Sequence, residues 1–254
     1  LQKVMSRAQK IIDKGDFESY DHLEEMVREA LQVGEVDTGT ADVFFNLDEV
    51  LDDDFRHPIP IGITGIDNLL KGGLAKGEIG VILAPTGVGK TTVLSKIANN
   101  AFNLGYNVLQ IFFEDNPKII QRKHFTMWTK IAPDNLSLQR EEVLERVRQI
   151  KENASNRLIL KKLPSDTLTM NQIKNQIRKM IAEGTKIDLV VVDYIDCIVP
   201  DKNLGDEWKS EGSVMRGFES MCHELDIAGW TATQGNRSSI SSEVVTTDQM
   251  GGSI

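Results

Sequence analysis

The 254-residue chain has little cysteine, little histidine and no surplus of positive charge. Its two cysteines, Cys197 and Cys222, make neither a disulfide framework nor a metal-ligand spacing. Cys197 lies in an apolar run and Cys222 in a helical pattern, so both read as buried thiols. The four histidines, His22, His57, His124 and His223, are scattered, with no zinc signature. No apolar run approaches the length of a membrane span, and no signal peptide is visible. A formal net charge of −9 argues against a broad basic surface for nucleic acid, while leaving room for a few cations lining a channel. With 40% hydrophobic and 26% charged residues, the composition is that of a globular chain of one large domain plus an appendage. Leu1 is not an initiator methionine and the chain stops at Gly251-Gly252-Ser253-Ile254, so a fragment of a longer protein is expected.

What the sequence does contain is a phosphate-binding loop. Ala84, Pro85, Thr86, Gly87, Val88, Gly89, Lys90, Thr91 and Thr92 follow the apolar run Ile79 to Leu83 and lead into a helical pattern through Val93, Leu94, Ile97 and Ala98. Strand, Gly-rich loop and helix is the context that a P-loop needs. Gly87 and Gly89 let the backbone close around a polyphosphate, and the helix N-terminus adds partial positive charge. In such a loop Lys90 reaches the β- and γ-phosphates, and the Thr91 hydroxyl coordinates Mg²⁺. Ala84 stands where a glycine is usual and is small enough for the position. A nucleoside triphosphate is the expected ligand.

Around this loop the chain divides into three stretches. Residues 1–34 read as two amphipathic helices, with stripes Val4, Ala8, Ile11, Ile12 and Leu23, Met26, Val27, Ala30, Leu31. They are expected to pack on the main domain or on a neighbouring subunit. Residues 35–57 read as an acidic linker with the run Asp52-Asp53-Asp54. From residue 58 to residue 254, apolar runs at 79–84, 107–113, 157–163, 188–193 and 228–234 alternate with helical stretches at 91–103, 117–130, 140–154, 170–183 and 209–226. That alternation predicts an α/β fold with right-handed crossovers, a mostly parallel central sheet, and ligands outside the carboxyl ends of the strands.

Three residues at such ends are candidates for chemistry. Asp193 closes the apolar strand Leu189 to Val192, as a Mg²⁺-supporting Walker B carboxylate does. Glu114 follows Val108 to Phe113, where an acid orients or deprotonates an attacking water. Equally, Glu114 or Asp115 would serve as the cap of a helix starting near Pro117. Gln234 closes Trp230-Thr231-Ala232-Thr233, either sensing the γ-phosphate or capping a turn.

The ordered set carries a resemblance. Ile66-Asp67-Asn68-Leu69-Leu70-Lys71-Gly72-Gly73-Leu74 with Gly77-Glu78, then Phe113-Glu114-Asp115, Asp193-Tyr194-Ile195-Asp196 and Thr233-Gln234-Gly235-Asn236-Arg237, is similar to the motif series of RecA-like hexameric helicases. Asp248 to Ser253 sits where those helicases carry a Gly/Ser-containing segment, and Trp230 to Gln234 and Arg157 to Lys161 resemble the DnaB-family C-terminal ATPase, particularly that of T-even-type phage replicative helicases. The two N-terminal helices look like that family's interdomain linker.

The resemblance implies a RecA-like P-loop core that binds ATP and Mg²⁺ between subunits of a homo-oligomeric, hexameric ring. It implies translocation on single-stranded DNA with 5′–3′ polarity, a cytoplasmic setting in a bacterial or phage-infected cell, and primase and a helicase loader as partners. Carried over, Lys90 and Thr91 hold phosphate and Mg²⁺, Asp193 supports the metal, Glu114 activates water, and Gln234 couples nucleotide state to the loop after it. The DNA candidates are loops 200–212, with Lys202 and Lys209, and 235–247, with Arg237; solvated surface loops are the bland alternative, since five acids share them. The family's arginine finger is expected beyond Ile254, which predicts weak hydrolysis by this span alone. A RecA/KaiC-type recombinase or regulatory ATPase, or a nucleotide-gated ring or loader scaffold with little turnover, would carry much of the same pattern.

Overall fold

The computed structural model describes Leu51, residues 56–201 and residues 207–234, the last stretch with side chains from Gly212 onward. The chain divides into two compact units, Leu1–Asp53 and Asp54–Ile254, and apart from Leu51 the described residues belong to the second. The two N-terminal helices expected over 1–34, and the acidic linker apart from Leu51, Arg56 and His57, lie outside the described residues.

Continuous apolar runs form strands wherever both faces are covered. β1 (Ile79–Ala84), β2 (Val108–Phe112), β3 (Leu158–Lys162), β4 (Leu189–Asp193) and β5 (Ala228–Gln234) make one sheet in the order β1-β5-β4-β2-β3. Every pairing is parallel. The helices among the described residues are α1 (Thr64–Leu69), α2 (Lys90–Asn103), α3 (Pro117–Thr129), α4 (Arg140–Asn153), α5 (Met170–Ala182) and α6 (Glu207–Glu224), with 3-10 turns at Pro133–Asn135 and Ile195–Cys197. None of them is long and apolar enough to cross a membrane.

The two faces of the sheet hold two core clusters. Leu109, Ile111, Val190 and Val192 pack with Ile173 and Ile177 of α5 and with Phe218 and Met221 of α6. Val108, Leu189, Val191 and Trp230 pack with Leu94, Ile97 and Ala101 of α2. Adjacent strand residues thus alternate between clusters, as a two-period strand requires. Five consecutive buried positions in both β2 and β4 follow from their central place in the sheet. Cys197 and Cys222 are buried, as their apolar settings suggested, and burial lifts the Cys222 thiol to about 12.

Close approach sets one residue type on the α6 face. A Cβ on Gly229 would lie 2.4 Å from Cys222 Sγ and 2.8 Å from Phe218 Cζ, so only glycine lets α6 sit this near β5. Helix starts follow local chemistry. Asn116 caps α3 by accepting the Lys118 N–H at 2.9 Å, with Pro117 in the first turn. Thr169 and Gln172 form a reciprocal capping box on α5.

Register then decides the site. Ala84 is level with Gln234, and Phe112 is level with Asp193. Because all strands run the same way, the loop after Ala84, Glu114, Asp193 and Gln234 share the carboxyl edge of the sheet. Upstream, Arg56 braces the entry to β1. Its guanidinium donates to both Glu78 carboxylate oxygens, at 3.0 and 2.5 Å, and to the Leu70 carbonyl at 3.2 Å. The Arg56 hydrogen bond holds the Glu78 carboxyl below the usual range against the opposing effect of burial.

Candidate nucleotide site

β1 ends at Ala84 and α2 begins at Lys90, with Gly89 as its N-cap. Gly87 and Gly89 have φ values of 84° and 101°, left-handed backbone that favours glycine and builds concave nests of N–H groups. No side chain caps α2, so its first-turn N–H groups have no side-chain acceptor at the N-cap. Lys90 Nζ folds back to donate to the carbonyls of Ala84 at 3.0 Å and Pro85 at 3.3 Å. Thr91, one residue on, donates from Oγ1 to Asp193 Oδ1 at 3.2 Å, joining the helix start to the end of β4.

Asp193 is 6% exposed. Burial pushes its carboxyl above the usual range; the Thr91 hydrogen bond and the charge of Lys123 pull it down, and Asp115 and Glu114 push it up again. Among the described residues Asp193 makes no ion pair. A buried carboxylate and a hydroxyl, both hard oxygen donors, with no cation of their own, fit a Mg²⁺ ion at this spot.

Across the cleft, Asn116 rather than Glu114 or Asp115 is the cap of α3. That frees both acids. Asp115 pairs with Lys123 Nζ at 3.1 Å, and Glu114 Oε1 accepts the Tyr194 hydroxyl at 3.2 Å. The Tyr194 ring lies 5.5 Å from Lys90 Nζ. At the end of β5, Asp196 accepts the Thr233 hydroxyl and the Gln234 backbone N–H, each at 2.8 Å.

These groups enclose a cleft of about 320 Å³ lined by Thr86, Gly87, Gly89, Lys90, Thr91, Thr92, Glu114, Asp115, Lys123, Asp193, Tyr194 and Gln234. Of the nine loop residues singled out in the sequence, Ala84 and Pro85 supply carbonyls to Lys90, and Val88 points outward, 62% exposed. Of the DNA candidates, Lys202 and Arg237 lie outside the described residues, and Lys209 belongs to α6, where only its backbone is described. The segment 200–212 is thus partly helical, its residues from Glu207 onward lying in α6.

Comparison with known proteins adds a family to this geometry. Residues 58–243 match the model of the DnaB-like helicase C-terminal domain. The chain belongs to that family. The replicative DNA helicase DnaB of Buchnera aphidicola subsp. Baizongia pistaciae is 26% identical over 191 residues, covering 70% of this chain and 40% of that protein. The DnaB-like replicative helicase of enterobacteria phage T4 is 22% identical over 202 residues, covering 75% and 42%. The chain therefore spans about two fifths of the length of these curated relatives. A solved DnaB-like replicative helicase, described with its interactions with primase, superposes with a TM-score of 0.71 at 17% identity over 96% of this chain and 59% of that one. A second solved structure, an isolated ATPase domain, gives 0.66 at 16% identity over 91% and 77%. The fold is RecA-like, and membership of a DnaB-like ATPase domain family implies nucleotide binding.

Behind the cleft of this DnaB-like domain runs a largely buried polar chain that sequence reasoning missed. Trp128 Nε1 donates to Asn103 Oδ1 at 3.1 Å, Asn103 Nδ2 to Asn99 Oδ1 at 3.2 Å, and Asn99 Nδ2 to His124 Nδ1 at 3.3 Å. His124 Nε2 then donates to Gln110 Oε1 at 2.9 Å, and Gln110 Nε2 to Ser95 Oγ at 3.0 Å. The direction is consistent only with a neutral, Nε2-protonated imidazole. Burial, aided by the charge of Lys123, pushes that imidazole down to about 4. The chain ties α2, which starts at Lys90, to β2, which leads to Glu114, and to α3, which carries Lys123. Its one legible signal was Gln110, an amide inside an apolar strand that had to find a partner.

Lys123 and Tyr194 were also not assigned roles from the sequence. Which face of α3 meets the cleft depends on how the helix docks, and periodicity does not report that.

Proposed function

We propose that the cleft binds ATP with Mg²⁺ and hydrolyses it, and that the intact protein is a replicative DNA helicase moving on single-stranded DNA as a homo-hexameric ring. One observation carries the reading. Lys90, Thr91, Asp193, Glu114 and Gln234, widely separated in sequence, line a single cleft at the carboxyl edge of a RecA-like sheet.

The roles follow from position. Lys90 exchanges its Ala84 and Pro85 carbonyl partners for phosphate oxygens, a charge-assisted and stronger bond. The loop glycines and the N-terminus of α2 receive the remaining phosphate charge. Thr91 and Asp193 would hold Mg²⁺, which when bound neutralises phosphate charge. Glu114, exposed to the cleft beyond β2, orients the attacking water and takes its proton. Gln234, fixed through its backbone to Asp196, stands at the start of the segment that we assign to DNA coupling. For the intact protein we also propose a primase contact, a loader, and a cytoplasmic setting.

The test is forked-duplex unwinding by the intact protein. ATP-dependent unwinding that is lost in Lys90→Ala is the expected result. Strand exchange without unwinding would place the protein with the recombinases instead, and function that survives loss of turnover would make it a nucleotide-gated scaffold.

A further inference from the structure

The cleft contains one residue that touches both halves of the proposed chemistry. Glu114 lies beyond the last residue of β2 with its side chain exposed. An exposed carboxylate at a strand end has several rotamers open to it, and a general base works only when aimed. Among the described residues the one side-chain partner of the Glu114 carboxylate is the Tyr194 hydroxyl, at 3.2 Å. A phenol is protonated at neutral pH, so the hydroxyl is a donor that suits an ionised carboxylate.

Tyr194 is itself well anchored. It directly follows the buried end of β4, and its ring packs against both core clusters of the sheet. The same ring faces Lys90, whose ammonium is 5.5 Å from the ring centroid. One rigid side chain thus sets the spacing between the phosphate-binding lysine and the water-activating acid.

We infer that Tyr194 is a positioning residue for hydrolysis, its hydroxyl aiming the Glu114 carboxylate into the cleft while its ring seats Lys90. The inference deepens the proposed ATPase reading and rests on Glu114 being the base. The two contacts separate by substitution. Tyr194→Phe keeps the ring and removes the hydroxyl with its bonds to Glu114 and to the buried Cys197 thiol, of which only Glu114 lines the cleft. Tyr194→Leu removes the ring as well.

The experiment is a double-mutant cycle on the intact protein, measuring ATP turnover and Mg-ATP affinity for wild type, Tyr194→Phe, Glu114→Gln and the double variant. Tyr194→Phe should lower kcat roughly 5- to 20-fold, a part of the 10²–10⁴ that a general base contributes, and leave nucleotide affinity within about twofold. In the Glu114→Gln background the same change should cost nothing further in turnover. Tyr194→Leu should weaken nucleotide affinity as well. Unaltered kcat in Tyr194→Phe, or an equal loss in both backgrounds, overturns the assignment of Tyr194. Full turnover by Glu114→Gln overturns the base itself, and the positioning role falls with it.

Discussion

His124 gives a prediction whose size is fixed by where it sits. Its imidazole is buried among Asn99, Gln110 and Trp128, neutral, with a pKa pushed from 6.5 down to about 4. The unfolded chain therefore takes up a proton at a pH where the folded one does not. Stability is fully present above about pH 6.5 and is lost as pH falls toward 4, at up to about 1.4 kcal/mol per unit. Between about pH 7.5 and pH 4.5 the loss from this one group comes to roughly 2.5 kcal/mol. His124→Gln keeps a donor and an acceptor at the site and removes the titration. Urea unfolding followed across this range should show wild type losing about 2–3 kcal/mol more than the variant, with the two within about 1 kcal/mol near neutrality. Parallel pH curves for the two proteins would refute the buried, neutral assignment. So would an NMR titration placing the His124 pKa near its free value.

Two further predictions test packing and the metal site. Gly229→Ala forces a Cβ against Cys222 and Phe218, both fully buried, and should cost about 1–3 kcal/mol, read as a lower Tm; an unchanged Tm would mean that α6 yields more easily than its contacts indicate. Asp193→Asn removes a charge that burial disfavours, so it should leave Tm unchanged or raise it while weakening Mg-ATP affinity; a large fall in Tm, with affinity intact, would make Asp193 structural instead.

Most of the fold was legible because the sheet is parallel and covered on both faces. Among the described residues the five strands lie within one residue of the apolar runs that predict them, and five of the six helices match periodic stretches to within two residues. α1 was not read as a helix because it is six residues long and buries none of them, so periodicity had nothing to report. The P-loop and Asp193 were legible because their chemistry is local: glycines at fixed offsets, and an acid at the end of an apolar strand. Glu114 was ambiguous for the opposite reason. An acid before Pro117 suits a base or a cap equally well in sequence, and the capping role falls to the Asn116 side chain, which periodicity does not single out. Lys123 and the His124 chain come from helices docking on a sheet, and the Tyr194–Glu114 bond from the pairing of β2 with β4; single-sequence patterns carry no register for either.

The most direct measurement is single-stranded-DNA-stimulated ATP hydrolysis and ATP binding by the intact protein with Glu114→Gln. If the cleft is the hydrolytic centre, binding stays close to wild type while turnover falls by about 10²-fold or more. Turnover close to wild type in that variant would contradict it, and would move the chemistry away from the carboxyl edge where Lys90, Thr91, Asp193 and Glu114 converge.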